Sequence, residues 1–188
     1  MSRIDPHRSW LPLEEAAERA PNDRQRGLLT EVRNHMEAEI KGRIEPLMAT
    51  LTAEPIYHFW GRGDPMVLEG ADAVRGFYLG MFATGGQQFE VVLDNIVAND
   101  QFVVTEGQVK TLSTGASLLA GGMSDVRGTP IEAGSLWLAN AQLVTVWPAD
   151  DAGKLVGEDI YFGQDPMATL QPITADELPD YYVLPAQA

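Results

Sequence analysis

The sequence predicts an α+β fold in which helices come first and an antiparallel sheet follows. Apolar residues recur every third or fourth position in the first half of the chain, the period of a helix with one buried face. From Phe89 onward the period changes to that of strands. Turn signals at Asn99-Asp100 and Asp150-Asp151-Ala152-Gly153 fold neighbouring strands back on one another.

Residues 1–21 are polar and Pro-punctuated and read as an N-terminal arm, with Leu13 to Arg19 a short amphipathic helix packing on the outside. Asn22 or Asp23 caps a long helix that turns Leu28, Leu29, Val32, Met36 and Ile40 inward, with His35 on the same face. Gly42 interrupts it. A second short helix carries Ile44, Leu47, Met48 and Leu51 inward, tolerates Pro46 in its first turn, and stops before Pro55. Ile56 to Trp60 is β-branched and aromatic and reads as a strand, ended by a turn through Gly61-Arg62-Gly63-Asp64-Pro65. Gly70-Ala71-Asp72 opens a third helix whose Val74, Phe77, Tyr78, Met81 and Phe82 share a face until Gly85-Gly86. Strands are expected at about 88–97, 102–112, 134–147 and 155–162. The Gly-rich stretch 113–130 has little periodicity and is expected as a long rim loop. The organisation is thus an arm (1–21), one domain (22–165) and a Pro-rich acidic tail (166–188) that packs on its own domain or on a partner subunit.

Composition narrows the function. With 188 residues, 45% of them hydrophobic, the chain is the size of one domain and can close a core. A formal charge of -14 repels nucleic-acid phosphates and anionic membranes. No apolar run approaches the roughly 20 residues of a membrane span, and the opening Met1 to His7 lacks a secretion signal, so a cytoplasmic protein is expected. With no cysteine and only His7, His35 and His58, no pair at helical ligand spacing, neither a metal nor another cofactor is expected. Arg62-Gly63-Asp64 spells an adhesion tripeptide, discounted as turn chemistry, and Gly121-Gly122 lacks the rest of a phosphate loop.

The stretch Tyr57-His58-Phe59-Trp60, a turn, and then Glu69-Gly70-Ala71-Asp72-Ala73-Val74-Arg75-Gly76-Phe77-Tyr78 resembles ketosteroid isomerases and SnoaL-like polyketide cyclases of the nuclear-transport-factor-2-like (NTF2-like) superfamily. In those families a strand and turn lead into a Gly-x-x-x-(Val/Ile)-Arg-x-Phe-Tyr helix. Gly153 to Phe162 is similar to their closing hairpin, and the resemblance covers residues 24–165. It implies a cone-shaped fold in which a curved, mostly antiparallel sheet wraps round the long N-terminal helix and encloses an apolar pocket. It implies a small hydrophobic ligand and pairing of two copies through the outer face of the sheet. Superfamily members include isomerases, cyclases, dehydratases and proteins that only bind, so fold does not select among them.

By the same resemblance His35 falls where the isomerases place a tyrosine that hydrogen-bonds the substrate oxyanion, a bond an imidazole can also donate; the alternative is a core histidine satisfied by its neighbours. The isomerases' general-base position falls on Phe59 or Trp60, and the nearest carboxylate is Asp64, whose place before Pro65 also suits a simple turn. Alternation puts His58 and Trp60 on one face of their strand and Tyr57 and Phe59 on the other, so only one pair lines the pocket. On the last strand it groups Glu158 with Val156, Ile160 and Phe162, a carboxylate in an oily surface where desolvation makes it a usable acid or base. The SnoaL-like cyclases place an acidic residue on a late strand, which Glu158 or Asp159 matches; the alternative for Glu158 is an ion pair with Arg33 or Arg43. His35, His58 and Glu158 are therefore the candidate catalytic residues, and Tyr57, Phe59, Trp60, Asp64, Phe77, Tyr78, Trp137, Ile160 and Phe162 the candidate pocket lining. They suit acid–base chemistry on a small oxygenated molecule, with a non-catalytic binding module as the other reading.

Overall fold

A computed structural model describes residues 2–61 and 63–184. Met1, Arg62 of the adhesion-like tripeptide and residues 185–188 of the expected tail lie outside the described residues. The helices are α1 (Leu11–Glu18), α2 (Asp23–Ile40), α3 (Ile44–Met48), α4 (Ala71–Ala83) and α5 (Gly115–Ala120). The strands are β1 (Leu51–Trp60), β2 (Met66–Glu69), β3 (Glu90–Ala98), β4 (Phe102–Thr114), β5 (Asp125–Val126), β6 (Thr129–Pro130), β7 (Leu136–Pro148), β8 (Leu155–Phe162) and β9 (Gln171–Ile173).

The main sheet runs β2-β1-β8-β7-β4-β3, with β9 paired to β7. Its pairings are antiparallel except β1 with β8, which run parallel with Tyr57 beside Glu158. The architecture is the expected α+β cone, a curved sheet around the long helix α2. Curvature has a local cause: β3 bulges between Leu93 and Asn95, and the facing residue is Gly107, where a Cβ would stand 1.9 Å from Val92 O. Gly157 plays a similar part at the parallel seam, because a Cβ there would stand 1.7 Å from Ile56 O.

Helix α2 begins at Asn22, whose side chain accepts from Gln25 N at 2.8 Å, and buries Leu28, Leu29, Val32, Met36 and Ile40. These residues, with Leu47, Tyr57, Val74, Tyr78, Val91, Val103, Trp147 and Leu155, form the main core. Trp10, Leu13 and Ala17 belong to the same core, so α1 of the expected arm is packed into the fold rather than laid on its outside. The tail packs on its own domain: β9 pairs with β7, Tyr182 OH donates to Gln88 O at 2.9 Å, and Tyr181 stacks on His7 at 4.0 Å.

Three expectations are corrected. The short helix ends at Met48, and Leu51 already opens a strand, because its continuation pairs with β8. The turn after β1 leads into a further strand, β2, that returns along β1. Residues 113–130 are not a plain loop. Thr114 caps α5 by accepting from Ser117 N at 3.1 Å, and Leu118 and Val126 join Ile131, Trp137 and Leu170 in a second apolar cluster. Among the described residues no helix is long and apolar enough to cross a membrane.

Candidate functional site

Between α2, α4 and the concave face of the sheet lies a cavity of about 570 Å³. Most of its wall is apolar: Met36, Phe59, Phe77, Phe89, Val109 and Ile160 are among the lining residues. Tyr57, Phe59, Phe77, Tyr78, Ile160 and Phe162 line it as the sequence suggests, and Asp64 does so as an exposed residue near Met66 at the rim.

One part of the wall is polar, and each of its groups comes from a different element. Strand β1 supplies Tyr57, α4 supplies Tyr78 and β8 supplies Glu158, and His35 of α2 stands directly behind them, outside the lining itself. All four are buried, His35 and Tyr57 completely. Tyr78 OH donates to Glu158 Oε1 at 2.9 Å and lies 3.1 Å from both Tyr57 OH and His35 Nε2. Tyr57 OH is 3.3 Å from the same Nε2, and Glu158 Oε1 is 3.2 Å from it. Three polar atoms therefore converge around one imidazole nitrogen.

Hydrogen-bond bookkeeping fixes the tautomer. Thr50 Oγ1 donates to Leu47 O at 2.6 Å, so toward His35 Nδ1, 2.6 Å away, it can only accept. Nδ1 therefore carries hydrogen, and Nε2 is the nitrogen turned toward Tyr57, Tyr78 and Glu158. Neutral, Nε2 accepts from Tyr57 while Tyr78 donates to Glu158; protonated, it points a charge-assisted bond at Glu158.

Glu39 joins this group, one helical turn beyond His35, and its partly accessible surface belongs to the cavity wall. Burial, and then the charge of Glu158, push its carboxyl well above the usual carboxylate range. Burial, followed by the same charge, raises both the Tyr57 and the Tyr78 phenols well above theirs. A ring nitrogen of His35 and one carboxylate oxygen each from Glu39 and Glu158 lie within 4.8 Å of one another.

His35 and Glu158 are thus brought together, but His58 is not brought to them. It lies on the outer face of β1, bonded to Asp159 Oδ1 at 2.7 Å and stacked on Trp60 at 5.1 Å. The reason is the parallel register: Tyr57 beside Glu158 and Phe59 beside Ile160 face inward, which leaves His58, Trp60, Asp159 and Tyr161 outside. Trp60, expected in the lining, stacks instead on Tyr161 at 4.5 Å. Trp137 shares the inward face of β7 with Leu143, Thr145 and Trp147 but stands about 20 Å farther along the strand than Leu143, under the second cluster. Glu158 is not paired with Arg33 or Arg43: Arg33 Nε donates to Glu14 at 2.7 Å, and Tyr78 and His35 are the groups at Glu158.

A family model of the SnoaL-like domain matches residues 32–133, more than half of the chain. The chain belongs to the SnoaL-like family. Among solved structures, this SnoaL-like protein resembles one described as a SnoaL-like polyketide cyclase from Jannaschia sp. CCS1, at 14% identity over 77% of this chain and 90% of that one, TM-score 0.56. It also resembles Bal32a from a soil-derived mobile gene cassette, at 15% identity over 78% of this chain and 95% of that one, TM-score 0.54. A third likeness is to SalBIII, an epoxide hydrolase/cyclase-like enzyme in pyran ring formation in polyether salinomycin, at 12% identity over 85% and 98%, TM-score 0.50. At these identities the likeness is one of fold. No curated protein gives a match.

Proposed function

We propose that this SnoaL-like protein is a cofactor-independent enzyme that moves protons on a small, apolar, oxygenated molecule, in the manner of an isomerase, cyclase or dehydratase. The observation that carries the reading is the convergence of Tyr57, Tyr78 and Glu158 around His35 Nε2 on one wall of an otherwise apolar cavity. A pocket that only bound such a molecule would gain nothing from burying a carboxylate and an imidazole side by side, since burying ionisable groups opposes stability. In the water-poor cavity Glu158 is the base, His35 relays or holds the proton at Nε2, and the two phenols are donors for oxygen charge that develops on the substrate.

The test is proton exchange. The protein is incubated in D2O with a panel of cyclic ketones and hydroxy-ketones, and deuterium incorporation is followed by NMR. Wild-type protein exchanges at least one of them, and Glu158→Gln, which keeps the shape of the side chain, does not. Equal exchange by both proteins removes Glu158 from the mechanism, and none by either with ligand bound returns the site to a non-catalytic binding role.

For organisation we propose one catalytic domain over residues 22–165, completed by α1 in its core and by β9 on its sheet, acting in the cytoplasm as a homodimer. The partner copy would cover the outer sheet face, where Ile56, Val67 and Tyr161 are exposed around Trp60 and His58. Sedimentation of wild type against Tyr161→Glu tests it: a dimer in the first and a monomer in the second supports the assignment, and a wild-type monomer refutes it.

A further inference from the structure

The proposed roles leave two cavity carboxyls unused, Asp64, exposed at the rim, and Glu39, which stands beside His35 and Glu158. Glu39 stands on α2 at four residues from His35, the spacing that puts two side chains on one helical face, and both reach toward β8. Its neighbours on the helix belong to another surface: Glu37 pairs with Arg33 and Lys41. None of the described residues lining the cavity is a lysine or an arginine. The titratable groups facing Glu39 are Glu158 from β8, Tyr57 from β1, Tyr78 from α4 and His35 from its own helix, and the phenols are neutral. Two carboxylates this close, walled by Met36, Phe59, Phe77 and Ile160, oppose each other's charge.

We infer that Glu39 is the second catalytic carboxyl of this site, and that Glu39 and Glu158 hold one proton between them, Glu39 giving it up while Glu158 accepts another on the same wall. The catalytic half of this inference rests on the acid–base reading above; the shared proton does not.

The pair suits a substrate with an enolisable carbonyl. Glu158 takes a proton from the carbon beside the carbonyl, and the C–H electron pair becomes the new C=C bond. The carbonyl π pair moves onto oxygen, which receives the Glu39 proton. The substrate leaves this half-reaction as its enol with its proton count unchanged, while Glu158 is now protonated and Glu39 ionised. Transfer of the proton from Glu158 to Glu39 across the gap, or reversal on a different carbon, resets the pair without any co-reactant. Because both carboxyls stand on one wall, proton loss and proton gain occur on one face of the bound molecule.

The shared proton is tested on the full chain without substrate, by infrared difference spectroscopy with 13C-labelled glutamate. Wild-type protein at neutral pH shows a protonated-carboxyl band that is absent from Glu39→Gln, with Glu39→Leu as the second variant should the first not fold. In Glu158→Gln the band titrates at a pH lower by about 1 unit or more, because the neighbouring charge is gone. Three results overturn the inference: no protonated carboxyl in wild type at neutral pH, a band that survives both Glu39 substitutions, or a midpoint unmoved in Glu158→Gln, which would mean that burial alone holds the proton. A fourth is saturable Mn2+ binding that abolishes the band in wild type and is lost in Glu39→Gln, since a cation would then occupy the place of the proton.

Discussion

His35 Nδ1 and Thr50 Oγ1 are 2.6 Å apart, and the threonine can only be the acceptor because its proton is committed to Leu47 O. The contact sets which imidazole nitrogen faces Glu158 and the two phenols. Thr50→Val leaves a buried N–H without a partner, and the expected loss of stability is about 1–3 kcal/mol. Thr50→Ser keeps the bond and should stay close to wild type. Urea denaturation measures the first effect; 15N NMR of the ring measures the second, a tautomer that is Nδ1–H in wild type and mixed in Thr50→Val.

Stability should fall with rising pH through Glu39. In the unfolded chain its carboxyl titrates at about 4.3, while burial and the Glu158 charge raise it in the folded protein. The folded state therefore keeps a proton that the unfolded state releases. The contribution is complete below the unfolded value and is lost as pH climbs toward the folded one. Glu39→Gln cannot ionise, so its melting temperature should gain on wild type between pH 4 and pH 8. Parallel curves for the two proteins would show an ordinary surface-like glutamate.

Alkaline titration should single out the two cavity phenols. Burial and the Glu158 charge raise Tyr57 and Tyr78, whereas unfolded tyrosine ionises at about 10, so their stabilising contribution is full below that value and lost above it. Their phenolate absorbance is expected to appear together with unfolding. Tyr78→Phe should shrink that late step and leave any earlier step intact; a reduced early step would place Tyr78 in contact with solvent.

The cavity should be open enough to receive a ligand. An environment-sensitive naphthalene dye is expected to bind wild-type protein, and Ile160→Trp to weaken that binding at least tenfold by placing an indole in the space. Because the ring enters open volume, the stability change should stay near about 1 kcal/mol. Undiminished dye binding in the variant would locate the dye elsewhere.

Much of the fold was legible because it is written in periods. Leu28, Val32, Met36 and Ile40 mark α2, and the alternation from Leu155 to Phe162 marks β8. What escaped has physical reasons. Strand β2 is only four residues long and follows a Gly-rich turn, so its alternation is too brief to register. In 113–130, order comes from Leu118 and Val126 packing on Trp137, a long-range contact with no local period. Alternation sorted β1 and β8 into two sets each, but the choice of inward set depends on pairing Tyr57 with Glu158, across about half the chain. That is why His58 was grouped with His35 while it stands with Asp159 outside. Glu39 sits between Glu37 and Lys41, which pair on the surface, so in the sequence only its spacing of four from His35 points to it.

The parallel seam between β1 and β8 governs when the site comes into being as well as where it sits. The imidazole and both phenols belong to the first half of the chain, and Glu158 follows Tyr78 by 80 residues. During ribosomal synthesis the early segments can gather around α2, yet the carboxylate that bonds to them emerges late and must be sewn in beside β1. Closing so long a loop is slow compared with forming local helices and hairpins. A nascent or truncated chain lacking β8 therefore holds the imidazole and the phenols without the carboxylate, and the buried cluster is complete only once β8 has docked.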